Sequence, residues 1–194
     1  MTNPSEGFRQ SLDLQLDMAW ALLSYHLSSL TDEECLWRPA GRGLHVFEVA
    51  GGWRADWPET EAYSVGPPSI AWLSWHIGFW WSKVLDHSFG EEILRREDIV
   101  WPGSADATRS WLTRLHDEWV ANIAALSDDE LMSSERTKWP FEGRPFYQVQ
   151  AWLNLELMKN ASEIGYCRFL YAVRESLVAE DDVSRGGISS GRLQ

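Results

Sequence analysis

Residues 69–90, which have the sequence SIAWLSWHIGFWWSKVLDHSFG, decide the fold class of this chain. Apolar residues recur here at steps of three and four, the spacing of one face of an α-helix. Ser69 is a suitable N-cap because its hydroxyl accepts from backbone amides of the first turn, and Gly90 ends the pattern. Further aromatic residues make the helix apolar nearly all round, so we expect other segments to cover it: Trp72, Trp75, Phe79 and Trp81.

Three further segments show the same periodicity, at about residues 5–30, 104–126 and 146–176. Ser104 is the predicted N-cap of the third helix, and the sequence from Ser127 to Glu130 predicts a capping box for one more turn. The sequence therefore predicts an all-α fold, a four-helix bundle over residues 1–178 with a long connection between its first and second helices. Residues 179–194 have the composition of a disordered tail.

The connection at residues 41–68 is rich in Gly and Pro and has no period. A short hairpin around Gly51-Gly52 is consistent with the flanking residues. The cluster Trp53–Trp57 either holds Arg54 and Asp56 over a site or ties the connection down, and we favour the second interpretation. Long loops in compact domains usually carry a function, so the connection is either a lid or a fixed wall of a site.

Charge and composition exclude several classes of protein. Lys and Arg number 17 against 29 Asp and Glu, a formal net charge of −12, and no basic cluster is present to bind nucleic acid. The sequence contains no charge-free apolar stretch of about 18–20 residues, the length that a membrane span needs. The first residues do not resemble a signal peptide. Cys35 and Cys167 form no pair motif. We expect a cytoplasmic protein without nucleic-acid or membrane partners.

Polar residues on apolar helix faces mark the candidate site, because a buried polar group must be satisfied or used. Asn160 lies near the centre of the fourth helix's apolar face, and Glu156 lies on its rim one turn earlier. His76 lies on the flank of the second helix, where Trp72 and Trp80 suggest an indole-lined pocket. His76, Glu156 and Asn160 are therefore predicted to converge in the groove between the two helices.

Simpler structural roles are open for the same residues. A lone His among aromatic residues is often a hydrogen-bonded core residue, and Glu156 is placed to pair with Lys159 or Arg168 on the helix surface. The sequence contains no HExxH, P-loop, GxSxG or GxGxxG motif.

The stretches TDEECLWRP at 31–39, SIAWLSWHI at 69–77 and NLELMKNASEIG at 154–165 resemble the DinB-like superfamily. The resemblance covers about residues 8–175 and implies a four-helix bundle, often a homodimer. The family's metal site typically takes one His from the second helix and two, four residues apart, from the last. Those positions fall on His76, Glu156 and Asn160, so two of the three imidazoles are absent.

Bacterial members with known activity are mycothiol-dependent isomerases and bacillithiol transferases, in which a metal lowers the pKa of a small thiol. The resemblance therefore implies a metal-dependent thiol transferase or isomerase that binds a divalent metal (zinc or nickel) at His76, Glu156 and Asn160. The pocket around that site would include Trp72, Trp80 and Glu163. Two alternatives are a metal-free member that binds a small molecule or acts as a dimeric scaffold, and a protein that contacts partners through the indole-rich faces of the second helix.

Overall fold

The computed structural model describes residues 4–60 and 62–176. The four long helices of this part of the chain are α1 (Pro4–Leu27), α3 (Ile70–Phe89), α4 (Ala105–Ala125) and α6 (Phe146–Ala172). Shorter elements lie between them: α2 (Asp32–Leu36), β1 (Val46–Val49), β2 (Gly52–Ala55), a 3-10 turn at Tyr63–Val65, a second at Arg96–Asp98, and α5 (Asp128–Met132).

The helix ends follow from local sequence. Ser69 caps α3 by accepting from the backbone amide of Trp72, and Ser104 caps α4 in the same way. Ser127 and Glu130 form the predicted capping box of α5. The first helix was expected to extend to Leu30 but ends at Leu27, because Thr31 caps the separate helix α2.

Helix α6 packs between α1 and α3, and its contacts give the direction of each pair. Asn154 Nδ2 donates to Leu12 O over 2.8 Å, and Arg168 Nη1 donates to His26 O over 2.6 Å, so α1 and α6 are parallel. Phe146, at the start of α6, packs edge-on against Phe89, at the end of α3, with ring centroids 5.7 Å apart. Helices α3 and α6 are therefore antiparallel.

Helix α4 packs between α3 and α1 on the other side. Trp119 near its end contacts Phe89 near the end of α3, so these two helices are parallel. Trp20 of α1 stacks on His116 of α4, with ring centroids 4.1 Å apart. Arg9, near the start of α1, donates to the Leu126 carbonyl just after α4, so α1 and α4 are antiparallel.

The aromatic side chains of α3 are mostly buried within the chain itself. Trp75 and Trp81 are each only 1% exposed. Trp75 Nε1 donates to Ile99 O over 2.7 Å, and Trp101 Nε1 donates to Ser74 Oγ over 3.2 Å. The segment after α3 therefore covers a large part of its indole-rich surface, which leaves less of it to a partner protein than the sequence alone suggested.

The expectation of an all-α fold needs a correction, because the chain is mostly helical and also contains a small antiparallel sheet. Strands β1 and β2 pair with Val46 opposite Ala55 and Val49 opposite Gly52. Gly51 and Gly52 both have positive φ, at 95° and 136°, a conformation that glycine adopts without the steric cost of a side chain. The hairpin around this glycine pair is thus confirmed.

None of the helices in the described ranges combines the length and hydropathy needed to cross a membrane. The disordered tail expected at residues 179–194 lies outside the described residues.

Candidate functional site

His76 lies on α3 with both ring nitrogens in hydrogen bonds. Trp80 Nε1 donates to His76 Nε2 over 2.8 Å, and His76 Nδ1 lies 3.3 Å from Asn160 Oδ1. The indole N–H is only a donor, so Nε2 must be the acceptor and Nδ1 carries the proton that is donated to Asn160. The Trp72 indole stacks on the His76 imidazole, with ring centroids 4.7 Å apart and an angle of 16° between the planes. These contacts fix the position and the tautomer of the imidazole.

Asn160 is 1% exposed, as its place on the apolar face of α6 predicted. Its Nδ2 donates to the backbone carbonyl of Glu156 over 2.8 Å, while Oδ1 faces His76. Both ends of the amide are therefore used, and the buried side chain serves to orient the imidazole.

Glu156 does not join these two side chains. Its Oε2 accepts from Lys159 Nζ over 2.6 Å on the surface of α6, and within the described residues its carboxylate forms no hydrogen bond with His76 or Asn160. This is the surface pairing that the helical spacing of Glu156 and Lys159 allowed. The structure brings together two of the three predicted ligands and places the third in a different interaction.

An open cavity of about 500 Å³ lies beside His76, between α3, α6 and the 41–68 connection. Of the predicted site residues, Trp72, His76, Asn160 and Glu163 line it. Trp80 was expected in the same pocket, but it is not among the lining residues. Its ring instead stacks on Trp139 and meets Trp152 edge-on, because its indole N–H is directed to His76.

The 41–68 connection supplies the remaining wall of the cavity, one of the two roles that the sequence left open for it. Its contribution is mainly apolar and includes Leu44, Pro58, Tyr63, Val65, Pro67 and Pro68, while α3 adds Leu73. The lining residues of the connection belong to a stretch without periodicity, so no local pattern predicted which of them face the site.

Hydrogen bonds fasten the connection to the helices. Trp72 Nε1 donates to Asp56 O over 2.8 Å, Asp56 Oδ2 accepts from His45 N over 2.8 Å, and Ser69 N donates to Leu44 O over 2.9 Å. Arg54 donates to the Glu97 carbonyl rather than to Asp56. The cluster at 53–57 therefore ties the connection down, as favoured from the sequence, and the connection forms a wall in this structure.

The electrostatics of the site keep the imidazole neutral. Burial lowers the pKa of His76 to about 4, the hydrogen bond to Asn160 opposes the shift, and the nearby Lys159 charge adds to it. Glu163 has its pKa raised, mainly because surrounding protein displaces water from its carboxyl, while Lys159 opposes this shift. At neutral pH His76 thus contributes no charge to the cavity.

The side chains present do not fit the metal that the resemblance implies. A neutral imidazole binds a metal through its one lone pair, and on His76 that lone pair accepts from Trp80. The other donors would be an amide oxygen that already accepts from His76 and a carboxylate paired with Lys159. No group of three or more His, Cys, Asp or Glu in the described part of the chain is arranged to hold a metal.

Comparison with known families gives one match. The sequence fits the DinB superfamily over residues 15–164, from α1 to the second half of α6, a range that includes His76, Glu156, Asn160 and Glu163. No curated protein and no solved structure matches the chain. Since the match spans well over half of the 194 residues, the chain belongs to the DinB superfamily.

Proposed function

We propose that this chain folds as the family's four-helix bundle and binds a small, largely apolar molecule beside His76 without a metal ion. The observation that carries the proposal is the hydrogen bond from Trp80 Nε1 to His76 Nε2. It occupies the lone pair on which a metal or a proton-abstraction step would depend. In this arrangement the imidazole acts as a fixed part of the cavity wall.

The cavity itself supports a binding role. A volume of about 500 Å³ is within the usual range of roughly 300–1,000 Å³ for small-molecule sites. Apolar side chains from α3 and the connection form most of the wall, and a few polar groups of α6 lie together on one side: Lys159, Asn160 and Glu163. A site of this kind binds the apolar body of a ligand and orients it through one polar group.

Elemental analysis tests the proposal against the metal-dependent thiol transferase or isomerase that the family resemblance implies. Wild type and His76→Ala are each incubated with excess zinc or nickel, dialysed and analysed, with circular dichroism to verify folding. We expect no specific metal in either protein. Close to one ion per chain in wild type, lost in His76→Ala, would contradict the proposal and favour the metalloenzyme.

Homodimer formation is a separate part of the proposal, and exposed apolar residues on the outer faces of α1 and α6 support it. Large side chains stand well exposed there on two helices that pack against each other: Leu14, Met18, Tyr25, Leu155, Tyr166 and Phe169. A contiguous exposed apolar patch is typical of a protein interface, and these are the side chains that would form one here. Sedimentation of wild type and Phe169→Asp tests it, with the variant expected to shift toward monomer.

A further inference from the structure

The two charged side chains that line the cavity differ in their pairing. Among the described residues that line it, Lys159 and Glu163 are the charged ones. Lys159 Nζ is engaged by the Glu156 carboxylate at 2.6 Å, whereas the Glu163 carboxylate forms no hydrogen bond or ion pair within the described residues. Because His76 is neutral and Lys159 is bonded to Glu156, Glu163 is the carboxylate of the cavity that has no direct partner among the described residues.

Helix geometry explains why Lys159 forms its ion pair with Glu156 rather than with Glu163. Both carboxylates are within one turn of Lys159 on α6, at positions i−3 and i+4. A Glu that precedes a Lys in a helix makes the more favourable pair, because the orientation agrees with the helix dipole. The 2.6 Å contact with Glu156 corresponds to this preference. Glu163 is therefore left without a hydrogen-bonded or ion-pair partner among the described residues.

We propose that the cavity selects an organic cation, a primary amine whose ammonium group pairs with Glu163 and whose apolar body packs against Trp72, Leu73 and the prolines of the connection. This inference rests on the proposed function, since it requires that the cavity binds a small molecule. The formal net charge of −12 adds to the selection, because it raises the local concentration of cations near the protein and lowers that of anions.

Anionic ligands meet the opposite situation. A carboxylate or thiolate in this cavity would lie near Glu163 and beside an uncharged His76, and the cation of Lys159 is already paired. Like charges close together in a partly dehydrated site repel each other. The arrangement therefore disfavours anions as well as favouring amines.

Three ligands of similar size and different charge test the inference: 2-phenylethylamine, 2-phenylethanol and 3-phenylpropanoate. Their affinities are measured by isothermal titration calorimetry at pH 7.5 and low salt. We expect wild type to bind the amine about five- to tenfold more tightly than the alcohol, the size of one partly screened ion pair. The carboxylate should bind more weakly than the alcohol.

Two variants assign the effect to one carboxylate. Glu163→Gln keeps the size of the side chain and removes its charge, so amine affinity should fall to that of the alcohol while alcohol affinity stays unchanged. Glu118→Gln is the matched control, because it removes the same unit of charge from an exposed position on α4 and should alter neither affinity. Circular dichroism and thermal unfolding verify that both variants fold.

The outcomes separate this inference from the proposed function. Binding of all three ligands with equal affinity, or tightest binding of the carboxylate, overturns the selection for amines and leaves the binding cavity intact. An amine preference that survives in Glu163→Gln overturns the role of that residue. No binding of any of the three at millimolar concentration overturns both the inference and the proposed function.

Discussion

His76 and Trp80 lie one helical turn apart on α3 and share a 2.8 Å hydrogen bond in which the indole N–H donates to the imidazole. The bond engages the basic nitrogen of His76 and leaves the other nitrogen to donate to Asn160. A hydrogen bond that is made only with the neutral imidazole opposes protonation and therefore acts in the same direction as burial. His76 is consequently held as a neutral, oriented group.

Replacing Trp80 by Phe should raise the pKa of His76. The substitution removes the N–H donor and keeps most of the apolar surface, so the neutral imidazole loses a stabilising partner while its burial changes little. We expect an increase of up to about one pKa unit, the equivalent of one ordinary hydrogen bond. Histidine side-chain NMR titration measures it.

Trp152→Phe is the control for this titration, because Trp152 packs edge-on against Trp80 and forms no hydrogen bond with His76 within the described residues. It should leave the pKa of His76 close to the wild-type value. An equal rise in the pKa of His76 in both variants would show that the shift comes from general loosening of the aromatic cluster rather than from the lost indole N–H.

The stability of the protein should fall in mild acid because of His76. Its pKa is lowered from 6.5 to about 4 in the folded chain, so between these values the unfolded state binds a proton that the folded state does not. The free energy of unfolding therefore decreases as the pH falls from about 6.5 to 4, by at most about 3 kcal/mol from this group.

His76→Gln isolates this contribution, since glutamine is polar and does not titrate. Urea unfolding of both proteins at pH 7.5 and pH 4.5 gives the difference. Burial also lowers the pKa of His26, His45 and His87, and these groups titrate in both proteins. An equal loss of stability in wild type and variant would contradict the assignment to His76.

Local sequence was sufficient to predict most of the helices. The caps at Ser69, Ser104 and Ser127 depend on side chains that bond to amides within their own first turn, so a few adjacent residues determine them. The burial of Asn160 followed from helical periodicity in the same way. The helix faces also predicted that His76 and Asn160 converge, and the structure places His76 Nδ1 3.3 Å from Asn160 Oδ1.

The rest of the site depends on which neighbour each side chain contacts, and sequence spacing alone does not determine this. Trp72 and Trp80 are each four residues from His76, yet one stacks on the ring and the other donates to it. The i, i+4 spacing of His76 and Trp80 was a signal for that hydrogen bond, although it did not determine which of the two indoles would form it. The wall formed by Pro67 and Tyr63 depends on how the 41–68 connection crosses the helices.

Gly78 should be intolerant of substitution. A Cβ at this position of α3 would lie within 2.4 Å of three Trp111 ring atoms, so Gly78→Ala forces the indole or the helix to move. We expect the free energy of unfolding to fall by about 2–3 kcal/mol, as for other overpacked cores. Gly7→Ala is the matched control in α1, with nothing within 4 Å of the added Cβ, and should be neutral or slightly stabilising. Equal effects would refute the steric argument.

Arg168 should be required for the stability of the fold because its guanidinium neutralises the buried carboxylate of Glu34. Its Nε donates to Glu34 Oε1 over 2.8 Å, and Glu34 is only 7% exposed. Arg168→Met leaves a buried carboxylate without its cation, and we expect the free energy of unfolding to fall by about 3 kcal/mol in urea titrations at pH 7. The double variant with Glu34→Gln should recover much of that loss. If it remains as unstable as the single variant, the lost contacts of Arg168 with His26 and Ser29, rather than the unpaired charge, account for the effect.

Metal binding should appear when the missing imidazoles are supplied. Positions 156 and 160 are one turn apart on α6, and position 160 faces His76. Glu156→His and Asn160→His would add two imidazoles there, and Trp80→Phe would free the His76 lone pair. We expect the triple variant to retain about one zinc ion per chain after dialysis, because three neutral imidazoles form a suitable zinc ligand set.

A control variant separates the effect of the added imidazoles on zinc binding from the effect of loosening the aromatic cluster. It combines Trp80→Phe with Glu156→Gln and Asn160→Ala, so it opens the same space without adding an imidazole, and it should retain no more zinc than wild type. Zinc uptake by wild type equal to that of the triple variant would mean that Glu156 and Asn160 already serve as ligands. In that case the hydrogen bonds to Trp80 and Lys159 must break when the metal binds, and the metal-free proposal would be wrong.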